Sequence, residues 1–153
     1  MNGIRCEGIV RRKAVNEEGE EMPRELIADT QYYKLEVDGA KNRTHSEYKG
    51  FWPDTEEFKS TYVRDMQRLL SRVRPGYTTI VDLREFKVPP QTVIETVIKV
   101  QEMLKKAGLK RSARITDQPI LKMTADRIGR EAEVKDDVRS FNTILEAEVW
   151  LDS

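Results

Sequence analysis

The spacing of apolar positions changes along the chain, and these changes predict the order of its strands and helices. Residues 78–83 are a short β-branched run between Pro75-Gly76 and a charged segment, a pattern typical of a strand covered on both faces. From residue 91 onward the spacing becomes helical, with one apolar stripe made of Val93, Val97, Val100, Leu104 and Ala107. Gly108 then stands where the C′ glycine of a helix belongs. The segment from 76 to 108 is therefore predicted to form a central strand, a loop and a helix.

An antiparallel hairpin is predicted ahead of this unit. Residues 33–37 alternate between apolar and charged side chains and are followed by Asp38-Gly39, a dipeptide that favours a tight turn between two strands. Residues 43–49 would form the return strand. Asp54 and Glu57 then have the spacing of a capping box, which predicts the start of a helix that runs up to the central strand.

The alternation of strand and helix continues to the end of the chain. Residues 112–116 and 138–141 are predicted to be short strands, and each is followed by a helical pattern. Asp117 is expected to cap the first of these helices, and Thr143 begins a capping box for the second. An opening hairpin followed by alternating helices and strands indicates an α/β fold with a mixed sheet, parallel in its later strands, with right-handed crossovers.

The first 29 residues lack the periodicity of the rest. They contain two acidic pairs around Gly19, followed by Pro23, and are predicted to form a poorly ordered N-terminal extension. A strand in residues 9–15 would be marginal because the segment has few apolar groups. The predicted organisation is an extension over residues 1–29 and one α/β domain over residues 30–153.

The 153-residue chain has 27 basic and 27 acidic residues, so its formal net charge is zero. This balance gives no support to binding of nucleic acid or of an anionic membrane surface. A single cysteine, Cys6, and the lack of a long apolar run predict a cytoplasmic protein without a membrane span. His45 is the one histidine and has no second histidine or cysteine nearby. It is interpreted as a strand-surface residue, and no metal or other cofactor is expected.

The loop after the central strand is the best candidate for a functional surface, because partners of open α/β sheets gather at the carboxyl ends of parallel strands. Asp82 and Arg84 lie near the end of the strand, and Gln91 and Thr92 lie in the first turn of the next helix. Free amides in that turn can donate to a hydroxyl or phosphate oxygen. A phosphoacceptor role for Asp82 would need further carboxylates to hold magnesium. Pairing with Arg84 would instead make Asp82 part of the scaffold.

The order of the predicted elements resembles that of the STAS-like domains of anti-sigma-factor antagonists, in particular the bacterial SpoIIAA-like family. The resemblance covers about residues 32–151 and depends on Tyr48-Lys49-Gly50-Phe51, Ile80-Val81-Asp82-Leu83-Arg84-Glu85-Phe86, and Thr143-Ile144-Leu145-Glu146-Ala147 with Trp150-Leu151. It implies a small α/β domain that binds protein partners without catalysis. The aspartate-serine-serine motif of those antagonists meets Pro90, Gln91 and Thr92 here, so a switch driven by serine phosphorylation is not expected.

Together these observations predict a non-enzymatic regulatory or protein-binding module without a cofactor. The alternative is a small carrier of an apolar, lipid-like ligand, similar to relatives with a CRAL-TRIO-like fold. Its pocket would be lined by Phe51, Trp52, Phe58, Phe86 and Ile94. A small enzyme is a third hypothesis, although the chain has neither a glycine-rich phosphate motif nor the G-x-S-x-G motif of hydrolases. The sequence gives no oligomeric state.

Overall fold

A computed structural model describes residues 12–15, 21–134 and 137–153 of the chain. Within these residues the strands are β1 (Arg12–Val15), β2 (Glu21–Asp29), β3 (Tyr33–Asp38), β4 (Arg43–Gly50), β5 (Thr78–Phe86), β6 (Arg111–Ile115) and β7 (Val138–Phe141). The helices are α1 (Glu56–Leu70), α2 (Gln91–Lys106), α3 (Pro119–Glu131) and α4 (Ile144–Asp152). None of the helices in the described residues is long and apolar enough to cross a membrane.

The strands form one sheet whose spatial order follows the chain, from β1 at one edge to β7 at the other. Neighbouring strands are antiparallel from β1 to β4 and parallel from β4 to β7. The predicted α/β fold with a mixed sheet is therefore confirmed. The predicted central strand is β5, which has a paired strand on each side. It extends beyond residue 83 to Phe86, whose side chain is buried in the core.

One face of the sheet carries the main hydrophobic core, and aromatic side chains fill the part of this core next to α1. Trp52 is fully buried, and its ring centroid lies 4.6 to 5.9 Å from those of Tyr33, Tyr48, Phe58, Tyr62 and Phe86. The indole Nε1–H of Trp52 donates to the Tyr32 carbonyl at 2.9 Å. These contacts join β3, β4, β5 and α1 to the segment between β4 and α1.

The opposite face of the sheet is covered by α4, which contacts β5, β6 and β7. A second, smaller apolar cluster lies between them and consists of Ile80, Ala113, Ile115, Ala147 and Leu151. Arg43 adds a polar connection, because its buried guanidinium forms ion pairs with Glu148 and Asp152 of the helix. The terminal helix is therefore held by both apolar packing and charge.

The hairpin and the end of α2 agree with the sequence prediction. Asp38 pairs with Arg43 across the hairpin, and Asn42 in the turn has a positive φ of 54°. Gly108 follows the end of α2 with a φ of 98°. A Cβ atom at this position would lie 2.7 Å from Cα of Pro75. Both the backbone conformation and the close approach of Pro75 therefore require glycine at 108.

Two of the predicted helix caps are wrong by one residue. Thr55, not Asp54, caps α1, and its hydroxyl accepts from an amide of the first turn at 3.1 Å. In α3 the N-cap position belongs to Gln118 instead of Asp117, and the Gln118 side chain makes no capping hydrogen bond. Thr143 caps α4 as predicted. Spacing alone predicts a cap to within one residue, since adjacent polar residues compete for the position.

The prediction of a poorly ordered N-terminal extension is wrong for residues 21–29. They form β2, which pairs with β3, and Ile27 is buried in the main core. Residues 12–15 form β1, which pairs with β2. Hydrogen bonding to a neighbouring strand, together with one buried isoleucine, orders a segment that has little apolar periodicity. Residues 1–11 and 16–20 of the predicted extension lie outside the described residues.

Candidate functional site

The parallel part of the sheet brings the carboxyl ends of β4, β5, β6 and β7 to one edge. Partners and ligands of open α/β sheets gather at such an edge. We use the term carboxyl rim for the connections that follow these strands together with the first residues of α2, α3 and α4. The carboxyl rim comprises residues 51–55, 87–92, 116–123 and 142–146.

Exposed apolar side chains are concentrated on the carboxyl rim. Six of the seven large apolar residues that are exposed within the described residues lie there, namely Phe51, Val88, Ile120, Met123, Ile144 and Leu145. Ile120, Met123 and Leu145 are each 70% to 74% exposed. Single exposed apolar residues are common on protein surfaces, whereas a group of them along one edge indicates an interaction site.

Asp82 stands at the middle of β5, which continues to Phe86, and forms an ion pair with Arg84. The Nη2 and Nε atoms of Arg84 lie 2.7 and 3.0 Å from the two carboxylate oxygens, and the Arg84 amide also donates to the carboxylate at 3.1 Å. Burial raises the pKa of Asp82, but these hydrogen bonds and the guanidinium charge outweigh burial and lower the pKa below its ordinary value. Asp82 is thus an ionised, bidentately paired group, which suits positioning of Arg84 better than proton transfer.

Gln91 and Thr92 lie in the first turn of α2, and their side chains have different partners. Gln91 Oε1 accepts from Arg127 Nη2 at 3.1 Å, which links α2 to α3. Thr92 hydrogen-bonds to Asp54, and this bond together with Lys59 lowers the pKa of Asp54. Of the four site residues predicted from the sequence, Gln91 and Thr92 therefore lie on the carboxyl rim, whereas Asp82 and Arg84 lie within β5. Asp82 and Arg84 contact each other, but Gln91 and Thr92 do not join them in one pocket.

The residues predicted to line an apolar pocket do not enclose one together. Trp52, Phe58, Phe86 and Ile94 are buried, and the ring centroid of Trp52 lies 5.1 Å from that of Phe58 and 4.8 Å from that of Phe86. Phe51 points away from this core and is 59% exposed. Aromatic residues near a strand end can fill a core or line a cavity, and the ring packing observed here identifies a core. Phe86 also lines a smaller cavity elsewhere, as described below.

Ile120, Met123 and Leu145 are not among the site residues predicted from the sequence. A sequence signal for such residues exists in α3, where Ile120 and Leu121 are consecutive apolar residues at a helix start. Neighbouring helical side chains point about 100° apart, so only one of the two can face the core directly. Leu121 is buried and Ile120 is exposed. A pair of apolar residues in the first turn therefore indicates one side chain available for contact with another molecule.

His45 lies in β4, on the sheet face opposite α1, and is largely shielded from solvent. Burial and the positive charges of Arg24, Arg43 and Lys41 together lower the pKa of His45 to about 3. His45 is thus a half-buried residue on a strand face, and the charged side chains beside it, which the sequence pattern does not reveal, help to lower its pKa. The imidazole stays neutral in the folded protein throughout the physiological pH range.

We expect the free energy of unfolding to fall as the pH drops below the ordinary histidine pKa of 6.5. The unfolded chain then binds a proton at His45, while the folded chain does not bind it until about pH 3. The expected loss is about 1.4 kcal/mol per pH unit, or about 2 kcal/mol at pH 5. Urea unfolding of wild type and His45→Gln at pH 7, 6 and 5 measures this loss, because glutamine does not titrate. Parallel pH profiles of the two proteins would contradict the assignment.

The acidic side chains with lowered pKa values contribute little to the loss of stability measured between pH 6.5 and 5. Asp54, Asp82 and Asp152 each have a pKa below the ordinary aspartate value of 3.8. The stability that they contribute is present above this value and is lost as the pH falls further. The interval from pH 6.5 to 5 therefore reports mainly on the histidine.

Within the part of the chain that the structure describes, no group of three or more His, Cys, Asp or Glu side chains is placed to hold a metal ion. Comparison of the chain with protein-family models, curated proteins and solved structures finds no match. The resemblance to STAS-like domains stays a prediction from the sequence.

Proposed function

We propose that the protein is a non-enzymatic module that binds a protein partner through the carboxyl rim. The observation that supports this proposal is the concentration of exposed apolar side chains on that edge of the sheet. Contact with a partner would remove these side chains from water, at about 25 cal/mol for each Å² of apolar area. In the isolated fold they contribute little to stability, so binding is the simplest physical role for them.

Polar residues beside the apolar group fit the usual composition of an interface, which has an apolar centre and a polar periphery. Arg84 is held by Asp82, and Gln91 is held by Arg127, so both side chains are fixed before a partner arrives. The connection before α2 contains Pro89-Pro90, and Pro90 occupies the N-cap position. Rigid side chains and a rigid loop lower the entropy lost on binding.

Binding through this surface would not depend on phosphorylation of the residues that align with the serine motif of STAS-like antagonists. Pro90 and Gln91 cannot be phosphorylated, and the Thr92 hydroxyl is already hydrogen-bonded to Asp54. A phosphate on Thr92 would also meet the negative charge of Asp54. We therefore propose a constitutive binding module.

A pull-down with a matched control tests the proposal. Wild type, the double variant Ile120→Ser with Leu145→Ser, and the control Val149→Ser are immobilised and exposed to lysate of the source organism. Val149 is also exposed but lies in α4 beyond the carboxyl rim. We expect the double variant to capture at least about tenfold less of a specific protein, because two interface side chains together contribute more than 1.4 kcal/mol. The control should capture as much as wild type.

Two further measurements make the outcome unambiguous. Substitution of exposed residues should leave the free energy of unfolding within about 0.5 kcal/mol of wild type, and thermal melting checks this. Sedimentation velocity of the purified proteins shows whether the partner is a second copy of the chain. Equal capture by all three proteins, without self-association of the wild type, would exclude the carboxyl rim as the binding surface.

A further inference from the structure

A cavity of about 60 Å³ lies between α2, α3 and the sheet. Its apolar walls include Val81, Leu83, Phe86, Val97, Leu121 and Ile128. The cavity shares Arg114, Gly129 and Val138 with an adjoining recess of about 200 Å³, which is completed by Asp126 and Arg130. The two spaces together have an apolar end within the core and a charged end between α3 and the strands.

Arg114 lies where the cavity and the recess meet. Its side chain is only 12% exposed, and its Nη2 atom donates to Asp126 Oδ1 at 2.6 Å. Its Nε atom is buried and has no hydrogen-bond partner, and the same holds for Oγ of Ser140, the residue paired with Arg114 in β7. Buried polar atoms of folded proteins nearly always have partners. Arg114 lines both the cavity and the recess, so its guanidinium can donate to an oxygen atom of a ligand there.

The charges of the recess favour a singly charged anion. Arg114 and Arg130 contribute two positive charges, and Asp126 contributes one negative charge. The resulting net charge of +1 balances the single negative charge of a carboxylate ligand. It does not balance the two negative charges of a dianion such as a phosphate monoester, which the carboxylate of Asp126 would repel more strongly. Guanidinium groups also match the geometry of a carboxylate.

We propose that this site binds a short-chain monocarboxylate, with its carboxylate at Arg114 and its alkyl tail in the apolar cavity. A space of this volume accommodates on the order of four water molecules and therefore only a short tail. Helix α3 can adjust around the ligand, because Leu121 and Gly129 are its only buried residues. This proposal does not depend on partner binding at the carboxyl rim.

Titration of the 153-residue chain with pentanoate tests the proposed ligand class. Calorimetry measures the affinity, and amide chemical shifts in an NMR titration show whether the residues lining the cavity respond. We expect acetate, which lacks the tail, and methyl pentanoate, which lacks the charge, to bind at least about tenfold more weakly. Absence of pentanoate binding, or equal binding of the ester, would overturn the proposal.

Two substitutions are expected to change the pentanoate affinity in opposite directions. Arg114→Gln should weaken binding by at least about tenfold, since it removes the charged donor. Asp126→Asn should strengthen binding, because it removes a negative charge and releases Nη2 of Arg114. The Asp126 side chain is 41% exposed, so this second variant is expected to fold and gives a result even if the first is unstable. Unchanged or weaker binding by Asp126→Asn would contradict the role of Arg114.

Discussion

Trp52→Ala is expected to lower the free energy of unfolding by about 3 to 5 kcal/mol, the usual range for removal of a buried aromatic side chain. Trp52 is fully buried and contacts five other aromatic rings from three strands and α1. Alanine would leave a cavity that these rings cannot all approach, because they are attached to four different elements of the fold. Urea unfolding followed by far-UV circular dichroism measures the effect.

The adjacent residue is a suitable control for this substitution. Phe51 is an aromatic residue of similar size, but it lies on the carboxyl rim and is exposed. Phe51→Ala should change the free energy of unfolding by no more than about 0.5 kcal/mol. A loss below about 1 kcal/mol for Trp52→Ala, or equal losses for the two variants, would show that the aromatic core is not packed as described.

Ile27→Ala is expected to cost about 2 to 5 kcal/mol, which is the range for truncation of a buried isoleucine. Ile27 lies in β2 and contributes to the main core. The substitution leaves the backbone hydrogen bonds between β2 and β3 in place, so the loss reports on side-chain packing. Urea unfolding of the full chain measures it, and the result tests whether residues 21–29 belong to the folded domain.

The control for this variant lies two residues further along the same strand. Asp29→Ala changes an exposed side chain of β2 and should have an effect within about 0.5 kcal/mol. If Ile27→Ala lowered the free energy of unfolding no more than Asp29→Ala does, β2 would contribute no packing energy. Residues 21–29 would then behave as the poorly ordered extension that the sequence predicts.

Helices and strands are predicted correctly where the spacing of apolar residues is regular. They are missed where this spacing is interrupted. Residues 91–106 keep one apolar stripe over four turns, and the observed helix has the same limits within one residue. In β2 the pairing with β3 shifts register between Leu26 and Ala28. A bulge places an additional residue in the strand and disrupts the alternation between its two faces. Consecutive apolar residues such as Leu26 and Ile27 then lack the alternation that identifies a strand.

The location of the candidate site could be predicted better than its composition. The location of Asp82 and Arg84 on the central strand follows from local sequence, and so does their pairing across two residues, although the strand continues past both to Phe86. The bonds of Gln91 to Arg127 and of Thr92 to Asp54 join residues that are distant along the chain. Such contacts depend on how the helices pack against one another. The same is true of the cavity beside Arg114, because its walls come from two helices and the sheet.

The sheet order has a consequence for the way this chain folds. Each strand pairs with the strands that precede and follow it in sequence, so no described strand must wait for a partner from a distant part of the chain. The entropy cost of closing a loop increases with its length, and folding slows as contacts become less local. The antiparallel strands can therefore form first, and each later strand with its helix can add to an edge that already exists. This order of assembly matches the order in which a ribosome releases the chain, from the N-terminus onward.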